Sequence, residues 1–213
     1  VMVSPRSAAV SEKFGASRVM ALGFGFITAG FTVMAFVEAS TNYLVIALGL
    51  VLLGIGMGIT VAPATGSIMS AVPLNKAGVG SAVNDTTREV GGALGIAVLG
   101  SIANSAYRSG ISDDVLASLP RESAGPAAES IGAAVQIAGD PGLPAEVALR
   151  LGEEARAAFT DAFNSSLASA AAIAAVIGVA VFVFGRRTDA APGTHPTDEA
   201  ADETTPTPAD LAS

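Results

Sequence analysis

The chain has 213 residues, 51% of them hydrophobic and only 14% charged, with a formal net charge of -8. An ordinary soluble domain carries about 25% charged residues, so the composition speaks against a soluble fold, and the negative balance speaks against nucleic acid as a partner. Cysteine is absent, which excludes disulfides, thiol chemistry and cysteine metal sites.

Residues 1–18 are polar and carry Arg6, Lys13 and Arg18. They read as a cytoplasmic loop. Four apolar runs follow, and a bilayer-crossing helix needs about 20 apolar residues. The first, 19–37, has no charge. The second belongs to an uncharged stretch from Ala39 to Asn75, with the membrane part at 43–71 and a kink expected near Pro63. Gly54, Gly58, Ala62, Gly66 and Ser70 recur every fourth residue there. On a helix they line one face and permit close approach of a neighbour. Packing alone accounts for that face; the sharper reading is a helix that rocks during transport.

Residues 72–83 read as a cytoplasmic turn, and the third span as 84–107. The segment 108–161 holds four arginines and nine acidic residues and is expected outside the membrane. Its prolines break up the early part. From Pro144 onward, Val147, Leu151, Ala155, Phe159 and Phe163 follow helical spacing, so an amphipathic helix should lead into the fourth span at 162–185. The segment is either a small extracytoplasmic cap or a surface excursion. The last 28 residues, 186–213, hold six acidic residues and four prolines, and are expected to be a disordered cytoplasmic tail. His195 lies in that tail, where no metal role is expected. The flanks on one side carry Arg6, Lys13, Arg18, Lys76, Arg186 and Arg187. By the positive-inside rule both ends are cytoplasmic, and the plasma membrane is the expected location.

The third span opens with Asn84, Asp85, Arg88 and Glu89, followed by Gly91, Gly92 and Gly95. Asp85 and Arg88 are spaced to pair on one helix face, and carboxylates suit a helix N-terminus. One reading is an interfacial cap with a local ion pair. The other places Asn84 and Arg88 toward the bundle interior, where ionisable groups mark a pathway or gate, with Asp85 and Glu89 as partners of Arg88. The glycines allow close helix contacts beyond that mouth. No nucleophile–base pair, phosphate loop or metal cluster stands in the sequence, so neither an enzyme nor a cofactor or metal is expected.

The string "GLVLLGIGMGITVAPATGSIMSAVPLNKAGVGSAVNDTTREVGGALGIAVLGSI" resembles the late C-terminal half of a major facilitator superfamily transporter, in particular the fourteen-span drug:proton antiporters of the QacA/EmrB type. The likeness rests on Gly54, Gly56, Gly58 and Pro63, on Pro73, Gly78 and Gly80 of the turn, and on Asn84, Arg88, Gly91, Gly92 and Gly95. "PRSAAVSEKFGASRVM" resembles the cytoplasmic loop of the same half. The resemblance implies an all-α membrane bundle in which this chain supplies spans eleven to fourteen, as a fragment of a longer protein. It implies proton-coupled efflux of hydrophobic or cationic compounds, with small-molecule substrate, protons, membrane lipid and the remaining transporter half as partners. Two rivals stand beside it: a same-fold carrier of a sugar or other metabolite, and a four-span assembly or scaffolding protein without transport.

Overall fold

The computed structural model describes residues 15–38 and 41–189. The expected loop residues 1–14 and the expected tail beyond 189 lie outside these. Within them the fold is helical: α1 (Ala16–Ala35), α2 (Tyr43–Ser70), a 3-10 turn (Leu74–Lys76), α3 (Ala77–Gly110), three short helices α4 (Asp113–Ala117), α5 (Arg121–Glu129) and α6 (Ile131–Ala138), and α7 (Ala145–Asp189). Among the described residues four helices are long and apolar enough to cross a membrane, so the chain is an all-α, multi-pass bundle.

Local chemistry sets the helix ends. Gly15 precedes α1 at φ 87, a left-handed conformation that glycine adopts without a Cβ penalty. The Asn42 side chain caps α2 by accepting from the Leu44 amide at 2.9 Å, which satisfies one of the unpaired donors of the first turn. Pro63 lies within α2, yet the helix continues to Ser70. Proline has no amide to donate, and the Ser67 hydroxyl donates to the Pro63 carbonyl at 2.8 Å, adding a bond just beyond the missing one.

The four long helices stand side by side in the order α2, α1, α7, α3, while α2 and α3 touch only sparingly. Glycines set the two closest contacts. Gly23 and Gly30 of α1 face Gly56 and Gly49 of α2. A Cβ on Gly56 would come within 2.7 Å of the Gly23 carbonyl, and one on Gly30 within 3.0 Å of the Gly49 carbonyl. Seven residues separate the glycines on each helix, so the seam follows the 3.5-residue repeat of closely paired helices. On the other side of α1, Gly178 of α7 packs on Phe24 and Gly185 on Ser17. Again seven residues separate the contacts, and the helices run antiparallel.

The segment between α3 and α7 has its own core. Leu151 and Ala155 of α7 are fully buried with Ala127 and Ala134, beside Val115 and Leu119. The segment 111–144 is therefore a packed cap, and not a loose excursion. At about 1.5 Å per residue the 45 residues of α7 extend roughly 68 Å, more than twice the roughly 30 Å hydrocarbon core. This extra length is what the cap wraps. It is fastened at four places. Tyr107 Oη donates to the Ala127 carbonyl at 3.2 Å. Glu154 Oε2 accepts from both the amide (3.0 Å) and the hydroxyl (2.8 Å) of Ser112. Arg108 pairs with Glu129 at 3.5 Å, and Gly110 lies flat against Ala158.

Candidate functional site

α3 starts at Ala77, seven residues before Asn84, because the helix forms directly after the 3-10 turn. The charges thus stand well inside it: Asp85 is about 12 Å and Glu89 about 18 Å from the first residue at 1.5 Å per residue. The dipole of a helix acts only within its first turn, so the N-terminal stabilisation expected for the two carboxylates is absent. Counted back from Tyr107 at the other end, Arg88 is about 28 Å away, close to the full core thickness of about 30 Å. A core-spanning length counted from Tyr107 therefore ends close to these charges, and α3 continues for several more turns toward Ala77.

Asn84 is 8% exposed, and its Nδ2 donates to Asp85 Oδ1 at 3.4 Å, a long contact. Asp85, Arg88 and Glu89 are exposed. The expected Asp85–Arg88 ion pair is not formed; among the described residues the one ion pair is Arg108–Glu129. Among the described residues Arg88 therefore makes no ion pair. Arg88→Ala should change stability by no more than about 0.5 kcal/mol, as at an uninvolved surface position. Thermal unfolding of the purified protein checks this.

Beyond the charges, a groove of about 1030 Å³ opens between α3 and the other long helices. Phe31 of α1, Met57 of α2 and Phe163 of α7 line it opposite Gly92, Gly95 and Ile96 of α3. Its size and apolar walls match those of small-molecule sites, about 300–1,000 Å³. Polar groups gather at the end beside the cap, where Asn104, Tyr107 and Glu129 reach it. Ser166 of α7 donates to the Leu99 carbonyl of α3 at 3.2 Å and ties the two walls together.

The structure thus brings Gly92 and Gly95 to the groove, but none of Asn84, Asp85, Arg88 or Glu89. A Cβ on Gly54, Gly66, Gly91, Gly92 or Gly95 would meet nothing within 4 Å, so the close approach they permit is not made among the described residues. Gly58 is half-buried. The tight contacts fall instead on Gly23, Gly30, Gly49 and Gly56, whose seven-residue spacing was the available signal. Asn104 and Ser166 were also missed; each is a polar residue within an apolar run. Among the described residues no cluster of metal-ligating side chains occurs.

A family model described as Major Facilitator Superfamily matches residues 1–96. The multidrug efflux pump LfrA of Mycolicibacterium smegmatis is 37% identical over 174 residues, which cover 80% of this chain and 34% of LfrA. The chain is thus similar to Major Facilitator Superfamily transporters along most of its length. The tetracenomycin C resistance and export protein of Streptomyces glaucescens is 30% identical over 215 residues, 100% of this chain and 38% of that protein. The riboflavin transporter RibZ of Clostridioides difficile is 32% identical over 101 residues, 47% of this chain and 22% of RibZ. The chain spans about a third of the length of the first and second of these relatives. In a superfamily transporter the substrate site lies between repeats, and the groove of this chain has helices on only part of its circumference.

Proposed function

We propose that the chain is the C-terminal part of a secondary active transporter of the fourteen-span drug:proton antiporter type, exporting hydrophobic, often cationic, compounds as protons move inward. The observation that carries this reading is the similarity to two export proteins along 80% and 100% of the chain. The open apolar groove supports it, since it supplies one wall of a pathway and needs the rest of the transporter to enclose it. Asn84 and Arg88 act at the inner mouth of that pathway, with Asp85 and Glu89 beside them. Gly54, Gly66, Gly91, Gly92 and Gly95 are the close-packing and sliding surface against helices outside this chain, and Gly58 and Pro63 give α2 its freedom to flex. The activity is transport and not catalysis.

The start of α1, the end of α2, the start of α3 and the end of α7 lie at one end of the bundle, as the Ser17–Gly185 and Val72–Gly80 contacts support. That end carries Arg18 and Lys76, and is cytoplasmic by the positive-inside rule. The cap then faces outward from the plasma membrane. The test is expression of the full-length protein in a host lacking its own efflux pumps. A hydrophobic cationic dye should accumulate several-fold less in expressing cells. Unchanged dye with altered sugar uptake would favour the carrier reading, and no effect on any solute the scaffold reading.

A further inference from the structure

A second groove, of about 600 Å³, runs along the opposite side of α1. Arg18, Leu22, Gly25 and Ala29 form its floor, with Leu52 of α2 on one flank and Phe182 of α7 on the other. The floor residues are spaced four, three and four apart, which is one face of an α-helix. Phe31, which lines the large groove, stands nine residues from Leu22. At 3.6 residues per turn that is about two and a half turns, so the two grooves look in opposite directions. On the reading that the rest of the transporter closes the large groove, the small one faces lipid.

The wall chemistry of the small groove is polarised. It is apolar along its length and has a single charge, Arg18, at one end. Arg18 makes no ion pair among the described residues. Gly185 of α7 lies against Ser17, so the backbone of the next two residues, Arg186 and Arg187, continues at the same end of the bundle. From Arg18 to Ala29 the helix rises about 16 Å, against about 15 Å for one leaflet, half of the roughly 30 Å core.

We propose that this groove is a binding site for one anionic phospholipid of the cytoplasmic leaflet. Its phosphate sits at Arg18. One acyl chain lies over Gly25, between Leu52 and Phe182. Basic ends of grooves between membrane helices on the cytoplasmic side suit anionic head groups, and the missing side chain at Gly25, where a Cβ would meet nothing within 4 Å, leaves the room. This proposal rests on the membrane orientation given above, and not on the identity of the transported compound.

The test is native mass spectrometry of the full-length protein released from detergent doped with phosphatidylglycerol or with phosphatidylcholine. The wild type should retain one phosphatidylglycerol and at least threefold less phosphatidylcholine. Gly25→Leu, which fills the groove and keeps the charge, and Arg18→Gln, which keeps the groove and removes the charge, should each lower phosphatidylglycerol retention at least threefold. Inorganic phosphate should not displace the lipid. Equal retention of both lipids would overturn the proposal. So would retention unaffected by Gly25→Leu, which would indicate anion adsorption at the surface, or displacement by phosphate, which would indicate a free-anion site. Should Gly25→Leu fail to reach the membrane, Ala29→Leu, whose larger side chain enters the same groove, carries the same expectation. Dye transport measured in parallel separates failure here from failure of the efflux reading.

Discussion

Gly56→Ala should destabilise the bundle by about 1–3 kcal/mol, the usual cost of forcing extra volume into a packed contact. The added methyl would meet the Gly23 carbonyl at 2.7 Å and the Ile27 amide nitrogen at 2.8 Å, together with Ile27 Cγ1 at 2.6 Å. Two of those atoms are backbone and cannot turn aside as a side-chain end can, so relief requires α1 and α2 to separate. Separation would spread down the seam to the Gly30–Gly49 contact. Gly54→Ala, two residues away, meets no atom within 4 Å and gains helix propensity. Thermal unfolding of the detergent-purified protein should show a lowered midpoint for Gly56→Ala and an unchanged or raised one for Gly54→Ala. Equal effects would mean that the α1–α2 seam does not run through these glycines.

Leu151→Ala should cost about 2–5 kcal/mol, the range for truncating a buried leucine. Leu151 is 0% exposed and lies at the centre of the cap, against Val115, Leu119, Ala127, Ala134 and Ala155. Four of its buried neighbours come from short helices of five to nine residues or the turns beside them. Helices of that length are not stable alone in water, so tertiary contact with α7 maintains them. The surface fastenings offer less. Arg108 and Glu129 are both more than half exposed, and such pairs are worth about 0–1 kcal/mol. Limited proteolysis should cut Leu151→Ala between residues 111 and 144 much faster than wild type, with the membrane helices still intact. If the cut rate did not change, the cap would be held by its fastenings and not by its core.

Much of this fold was legible because lipid imposes a simple pattern. Uncharged runs of about 20 residues had to be helices, since unpaired backbone groups are not tolerated in hydrocarbon. The start of α3 was harder to read. Ala77 to Val83 is rich in small residues, and glycines beside Pro73 look like a turn, but the 3-10 turn at 74–76 ends the irregular part early. The spacing from Pro144 onward was readable as one helical face, and Leu151 and Ala155 are buried on it. Phe159 and Phe163 instead line the large groove. A helix of 3.6 residues per turn drifts relative to a fixed face, so one stripe serves two partners along α7.

The site was only partly legible. Charges at the head of a glycine-rich span are conspicuous in a chain with so few, which drew attention to Asn84, Asp85, Arg88 and Glu89. The groove itself depends on which helices neighbour one another, and sequence order does not give the order α2, α1, α7, α3. The fourth-residue glycine stripe of α2 and the seventh-residue one are equally visible in the sequence. Only the structure tells that Gly49, Gly56 and Pro63 take the buried face of α2, while Gly54 and Gly66 are exposed.

The most direct measurement is uptake of a hydrophobic cationic dye into inside-out membrane vesicles carrying the full-length protein, with and without an imposed proton gradient. Dye accumulation should require the gradient, collapse on adding a protonophore, and fall in Arg88→Ala at equal protein abundance. Vesicles that accumulate no dye under any gradient, with the protein present and folded, would contradict the efflux reading.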